Sequence, residues 1–166
     1  MSNPTISHMP LDEWIKEIEN ETTRNYVQDR VVDQMNFYRT KSKEYKKNYQ
    51  RLMTASIVIG FLIPVTSVLA DGSLIMKIIL AALGSATTAI SAFLRMKNYY
   101  EMWTHYRCNH EYLLSTLYAY FTKNGIFKTC ANQTECDTLL IEACETCFNR
   151  ENQRWIELFK EDLQTV

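Results

Sequence analysis

The chain has 166 residues, a formal net charge of -1, a mean hydropathy of -0.26 and five cysteines. Near-neutral charge leaves no electrostatic footprint for nucleic acid, and an odd cysteine count argues against a disulfide framework. The average hydropathy hides a partition: nearly all charge lies outside residues 52–94, where Asp71 and Lys77 are the ionisable groups.

Residues Met1 to Pro10 lack the basic start and apolar core of a secretory signal, so the first apolar run is expected to act as an internal insertion signal that stays in place. Within 1–21, Leu11, Trp14, Ile15 and Ile18 give residues 11–20 the pattern of a short acidic amphipathic helix. Residues 22–51 follow as a helix free of glycine and proline, capped by Thr22 or Thr23. Val27, Val31, Gln34, Phe37 (or Tyr38), Lys41 and Tyr45 trace an imperfect stripe along it.

Leu52 to Ala70 then run without a charge, and after the turn 71–73 a second apolar stretch runs from Leu74 to Leu94. Each is close to the about 20 residues that a bilayer core requires, and a three-residue turn joins them into a transmembrane hairpin. Core helices of soluble proteins seldom stay apolar all round for five turns. Arg39, Lys41, Lys43, Lys46, Lys47 and Arg51 precede the hairpin and Arg95 and Lys97 follow it, while the turn side offers only Lys77. This asymmetry places both termini in the cytoplasm of a two-span protein of the inner (plasma) membrane. Pro64 removes a backbone hydrogen bond and is expected to kink the first span.

The second span is expected to continue as one helix past Arg95 to about residue 123, ending at Asn124-Gly125, and a last helix covers 134–163 with Thr134 and Asp137 as a capping box. Trp103, Tyr106, His110, Leu113, Leu117 and Tyr120 alternate by three and four as a bundle seam; Leu140, Cys144, Cys147, Trp155 and Leu158 do so on the last helix. Residues 24–51 carry eight basic residues against Asp29, Asp33 and Glu44, whereas 134–166 carry eight acidic residues against Arg150, Arg154 and Lys160. Opposite signs favour docking of these helices; the basic one equally suits anionic headgroups. The expected fold is therefore all-α: a two-helix transmembrane hairpin continuing into a cytosolic helical bundle over 95–166.

Most candidate chemistry fails on spacing. Cys144 and Cys147, with Cys130 and Cys136 upstream, fall within a helical pattern that suits buried thiols better than zinc. His105 and His110 do not share a helix face, and no phosphate loop or nucleophile motif occurs, so neither an enzyme nor a cofactor is expected. Lys77, Ala81, Gly84, Thr88, Ser91 and Arg95 are spaced 4-3-4-3-4, a stripe of small and polar residues along the second span. Such a stripe is either a packing seam, within the hairpin or between copies, or the wall of a pathway enclosed by several copies. Trp103, Arg107 and Glu111 follow at i, i+4, i+8, where the guanidinium can lie on the indole and reach the carboxylate, a structural or gating cluster.

The basic, aromatic helix around Phe37-Tyr38-Arg39, the tight hairpin, and Trp103, Tyr106, Arg107 and Glu111 together resemble the SLATT family, the two-transmembrane effector domain associated with SMODS nucleotide synthases and SLOG sensors. Leu114, the Tyr118-to-Phe127 segment, Glu151 and Trp155 extend the resemblance over roughly residues 30–160. It implies a prokaryotic anti-phage conflict system. There, a homo-oligomer in the lipid bilayer compromises the membrane by pore formation downstream of a nucleotide-synthase or nucleotide-sensing partner protein. A membrane-anchored interaction module without conduction and a constitutive small ion channel are the alternatives.

Overall fold

The computed structural model describes residues 11–68 and 73–164, and every regular element among them is helical. The elements are α1 (Leu11–Lys16), α2 (Glu21–Tyr26), a π-helical segment (Val27–Val32), α3 (Asp33–Val68), α4 (Leu74–Met96), α5 (Tyr99–Phe121), a 3-10 turn (Gly125–Thr129) and α6 (Gln133–Gln164). Asp71 and Gly72 of the expected turn, and the side chains of Trp155 and Leu158, lie outside the described residues. The chain divides into two compact units, residues 1–38 with 108–166, and residues 39–107.

In the first unit the helix begins at Glu21 and not at a threonine cap, because Asn20 Oδ1 accepts from the backbone N–H groups of Thr22 (3.0 Å) and Thr23 (3.4 Å). Thr23 is instead buried. The buried row on this helix is Val27, Val31, Met35 and Tyr38, so of the two alternatives Phe37 and Tyr38 it is Tyr38 that is buried, and Met35 takes the place of Gln34. The π-helical turn explains the shift. Its wider winding brings residues four apart into line, which a regular 3.6-residue periodicity does not reproduce.

Leu113, Thr116, Leu117 and Tyr120 of α5, Phe127 of the 3-10 turn, and Cys136, Leu140, Cys144, Cys147 and Phe148 of α6 complete this core, with Leu11, Ile15 and Ile18 from the N-terminal segment. Trp14 stands edge-on to Tyr118, with ring centroids 5.6 Å apart. The expected charge complementarity is realised at one pair, between the π-helical segment and α6: Arg30 binds Glu145 in a fork at 2.6 and 2.9 Å, and its guanidinium lies over Phe148.

One helix boundary departs from the sequence reading. The second long helix is interrupted at Lys97-Asn98, where Asn98 adopts a left-handed φ of 45°, so α4 and α5 are separate elements. Asparagine tolerates this region because its short side chain clashes little with the next carbonyl. At the end of α5 the left-handed residue is Lys123 (φ 51°), preceding Asn124-Gly125. Asn124 N–H donates to Ala119 O and Lys123 N–H to Tyr120 O, a Schellman closure without glycine.

In the second unit α3 runs through Pro64 as unbroken helix, as far as Val68. Thr66 Oγ1 donates to the carbonyls of Leu62 and Ile63 beside that proline. An 18-residue window of mean hydropathy 1.7 lies in each of the helical stretches Glu21–Val68 and Leu74–Thr129, and none of it is buried. By length and composition, two helices are therefore able to cross a membrane.

Candidate functional site: the polar stripe of the apolar hairpin

Partial burial along α4 falls on Met76, Leu80, Leu83, Gly84, Ala86, Thr87, Ile90 and Leu94, and along the apolar part of α3 on Leu52, Ala55, Ser56, Ile59, Gly60, Ile63 and Thr66. These rows lie mostly at spacings of three and four, the pattern of one helix face turned toward a neighbouring helix. Every member of the stripe Lys77, Ala81, Gly84, Thr88, Ser91 and Arg95 sits one residue further along, about 100° around the helix. Gly84 is partly buried and the other five are exposed. The partly buried face therefore mixes large apolar side chains with small ones, and the stripe touches it at Gly84 while its other five members face outward.

The stripe's hydroxyl groups are bonded within their own helix. Thr88 Oγ1 donates to Gly84 O at 3.0 Å, Ser91 Oγ to Thr87 O at 2.9 Å, and neighbouring Ser85 Oγ to Ala81 O at 2.8 Å. This back-bonding to the i−4 carbonyl satisfies each donor in an apolar medium and leaves the oxygen lone pairs directed outward. A Cβ added at Gly84 or Gly60 would meet no atom within 4 Å. The small size of Gly84 is thus not required by any neighbour in the chain itself.

The expected cluster of Trp103, Arg107 and Glu111 does not assemble in that form. The cation over the Trp103 indole is Lys46, 5.7 Å from the ring centroid, and Tyr100 stands edge-on to the indole at 5.7 Å. Arg107 and Glu111 are both exposed and belong to different units, and Glu111 Oε1 lies 3.9 Å from His110 Nδ1. The reason is register: Ser42 Oγ donates to Trp103 O, which brings the Lys46 face of α3 against the indole before an intrahelical arginine reaches it. Tyr45 packs on Tyr99 and Tyr106, and Tyr49 on Tyr100, fastening the same two segments with aromatic contacts.

The cysteines separate by environment. Cys136, Cys144 and Cys147 are buried, Cys130 is partly buried and Cys108 exposed, and all five are free thiols. Burial, aided by Cys147 and Glu145, pushes the Cys144 thiol up to about 12. Such a thiol stays protonated and packs as a small apolar group. Among the described residues no group of three or more His, Cys, Asp or Glu side chains is placed to hold a metal ion.

A polar centre that the sequence reading missed lies in the first unit. Asp137 is buried and accepts hydrogen bonds from Tyr120 OH (2.6 Å), Gln133 Nε2 (2.9 Å) and Thr23 Oγ1 (3.2 Å). It does not cap α6. That role falls to Asn132, whose Oδ1 accepts from Glu135 N–H at 2.8 Å, while Glu135 Oε2 accepts from Ala131 N–H at 2.7 Å. The available signal was register: Asp137 precedes Leu140, Cys144 and Cys147 in the 3-4-3 row, an acid placed where the core lies. Glu151, buried at the other end of that row, accepts from Tyr38 OH.

Glu145 is held below its ordinary value chiefly by Arg30, with burial opposing and Tyr26 adding a smaller lowering effect. Its folded pKa is depressed, so its contribution to stability is full above the unfolded value and is lost as pH falls through the folded one. Arg30 is largely exposed, which limits the network to about 1 kcal/mol. Glu145→Gln should therefore melt below the wild type at pH 6, and the two midpoints should converge as the pH approaches 3. A gap independent of pH would show that Glu145 does not act through its charge.

Residues 33–135 match the family model described as a protein of unknown function, DUF4231. No curated protein and no solved structure matches the chain. The matched region contains α3, the apolar α3–α4 hairpin, α5 and the start of α6, more than half of the sequence, and the chain belongs to this family of unknown function, DUF4231.

Proposed function

We propose that the chain is a two-span inner-membrane effector, with both termini cytoplasmic, that assembles from several copies and makes the membrane permeable. The observation that carries this reading is the apolar surface left outward along the hairpin. Phe61 is 76% exposed, Val68 86%, Leu74 73% and Ile75 70%. A contiguous apolar surface of this extent is costly in water and stable in hydrocarbon. The polar stripe supports assembly: the hydroxyl groups of Thr88 and Ser91 are exposed on the hairpin's outer surface, where further copies would meet or enclose a path. Lys and Arg gathered at one end of the hairpin support the orientation.

The resemblance to the SLATT effectors supplies the biological setting, an anti-phage response triggered by a nucleotide-synthase or nucleotide-sensing partner protein. On this reading the protein does no chemistry of its own, and its output is the permeability of the membrane.

Dye release from liposomes holding the purified protein tests the reading. Release that rises with protein density, together with five or more copies in detergent, is the expected result. A stable dimer in intact vesicles, with the trigger protein present, would reduce the hairpin to an anchor.

A further inference from the structure

The second unit gathers its cations where the apolar helices end. Lys43, Lys46, Lys47 and Arg51 of α3, Arg95 of α4 and Lys97 after it are all exposed. None forms an ion pair with a carboxylate among the described residues. The nearby acids are Glu44, already paired with Lys41 at 3.1 Å, and the exposed Glu101. The cationic surface is therefore not neutralised from within.

The same segment carries a braced aromatic belt. Tyr45 contacts Tyr99, Tyr49 contacts Tyr100, Tyr100 contacts Trp103, and Phe93 at the foot of α4 contacts Tyr99. The Trp103 indole N–H finds no acceptor among the described residues. Amphipathic rings beside unpaired cations, at the edge of an apolar run, match the headgroup level of a bilayer. From Lys47 to the start of the apolar run at Leu52 is about 8 Å of helix, and Arg95 adjoins the end of the other run. Once the hairpin is inserted, these positions face headgroups and not a soluble partner.

We propose that the base of the hairpin is a binding surface for the phosphate groups of anionic diacyl phospholipids. Lys47, Arg51, Arg95 and Lys97 hold the headgroup, and the tyrosines with Trp103 form the interfacial belt around it. The proposal rests on the membrane reading but not on conduction. Each such cation gains from an anionic surface, and the gain is screened by salt, so lipid charge and ionic strength both set how firmly the hairpin is seated.

The test is thermal unfolding of the full chain in neutral detergent, titrated with phosphatidylglycerol or phosphatidylcholine of equal chain length. Phosphatidylglycerol should raise the midpoint by ~5 °C at low salt, and most of that shift should vanish near 0.5 M salt. Phosphatidylcholine should shift it little. Lys47→Gln/Arg51→Gln/Arg95→Gln/Lys97→Gln should lose the phosphatidylglycerol shift, whereas Lys16→Gln/Lys123→Gln/Lys128→Gln/Arg150→Gln, which removes the same charge elsewhere, should keep it. If the first variant does not fold, the pair Arg95→Gln/Lys97→Gln should at least halve the shift. Equal shifts with both lipids, an undiminished shift in the variants of the belt, or the same shift from glycerol phosphate without acyl chains would overturn the proposal. Because no leakage is measured, a protein that conducts nothing yet responds to phosphatidylglycerol leaves this inference standing.

Discussion

Replacing Asp137 with alanine lowers the thermal midpoint of the protein by about 10 °C, the largest effect expected of a substitution outside the hairpin. The carboxylate is the shared acceptor for Tyr120, Gln133 and Thr23, so it ties α2, α5 and α6 together at one buried point. Alanine leaves the hydroxyl groups of Tyr120 and Thr23 to find other acceptors where water has little access, while the amide of the exposed Gln133 can turn to solvent. Gln133 Nε2 still donates to the Tyr120 oxygen at 2.8 Å, which recovers part of the loss. A net cost of about 3 kcal/mol follows from the usual 1–3 kcal/mol for each stranded buried polar group.

Asp137→Asn should cost much less. One oxygen remains to accept from Tyr120, and the new amide can donate to the Thr23 hydroxyl, which accepts as readily as it donates. Calorimetric scans of both variants therefore separate loss of the acceptor from loss of the charge. A midpoint for Asp137→Ala within 2 °C of the wild type would mean that Asp137 does not hold the three helices together.

Conduction, if the stripe lines the path, should fall at least ~10-fold in Thr88→Leu/Ser91→Leu, because apolar side chains at a constriction expel water and the ions that need it. The substitution is clean in a single copy. Both hydroxyls are exposed and donate only to carbonyls of their own helix, so their removal strands no donor elsewhere. Leu80→Ala/Leu83→Ala is the contrasting variant. It thins the partly buried face of α4 and should reduce the yield of folded protein without altering the permeability of each surviving assembly. Single-assembly currents in planar bilayers, with copy number measured in detergent, distinguish the two. Unchanged current in Thr88→Leu/Ser91→Leu would remove the stripe from the path. Loss of assembly in that variant would instead make it the contact between copies.

Much of the helical framework was legible because periodicity and composition agree along most of the chain. The described parts of both apolar runs are helical, over 52–68 within α3 and 74–94 within α4. The α5 row of Tyr106, Leu113, Leu117 and Tyr120 is buried, as a 3-4 alternation implies. The break at Lys97-Asn98 was not legible, since neither glycine nor proline marks it and the left-handed turn falls to an asparagine. The cap at Asn20 was missed because two threonines offered the same chemistry close by.

Candidate roles were harder to read, for a reason visible at Trp103. Spacing along one helix nominates Arg107 as the cation on the indole, yet a neighbouring segment supplies Lys46. Sequence separation alone does not rank an intrahelical partner against one from another helix. Asp137 illustrates the same point from the opposite side: its partners Thr23 and Tyr120 lie 114 and 17 residues away.

The sequence by itself determined that the chain is helical, that 52–94 is an apolar hairpin, and that one face of its second helix is small and polar, because these follow from local composition and a 3.6-residue period. Only the tertiary structure decided which face of α4 is partly buried, that the polar stripe lies outside it except at Gly84, and that Asp137 is a buried junction and not a cap. Those depend on how helices rotate about their axes to bury the most apolar area while leaving no polar group unpaired. That is a property of pairs and triplets of elements that no single segment encodes.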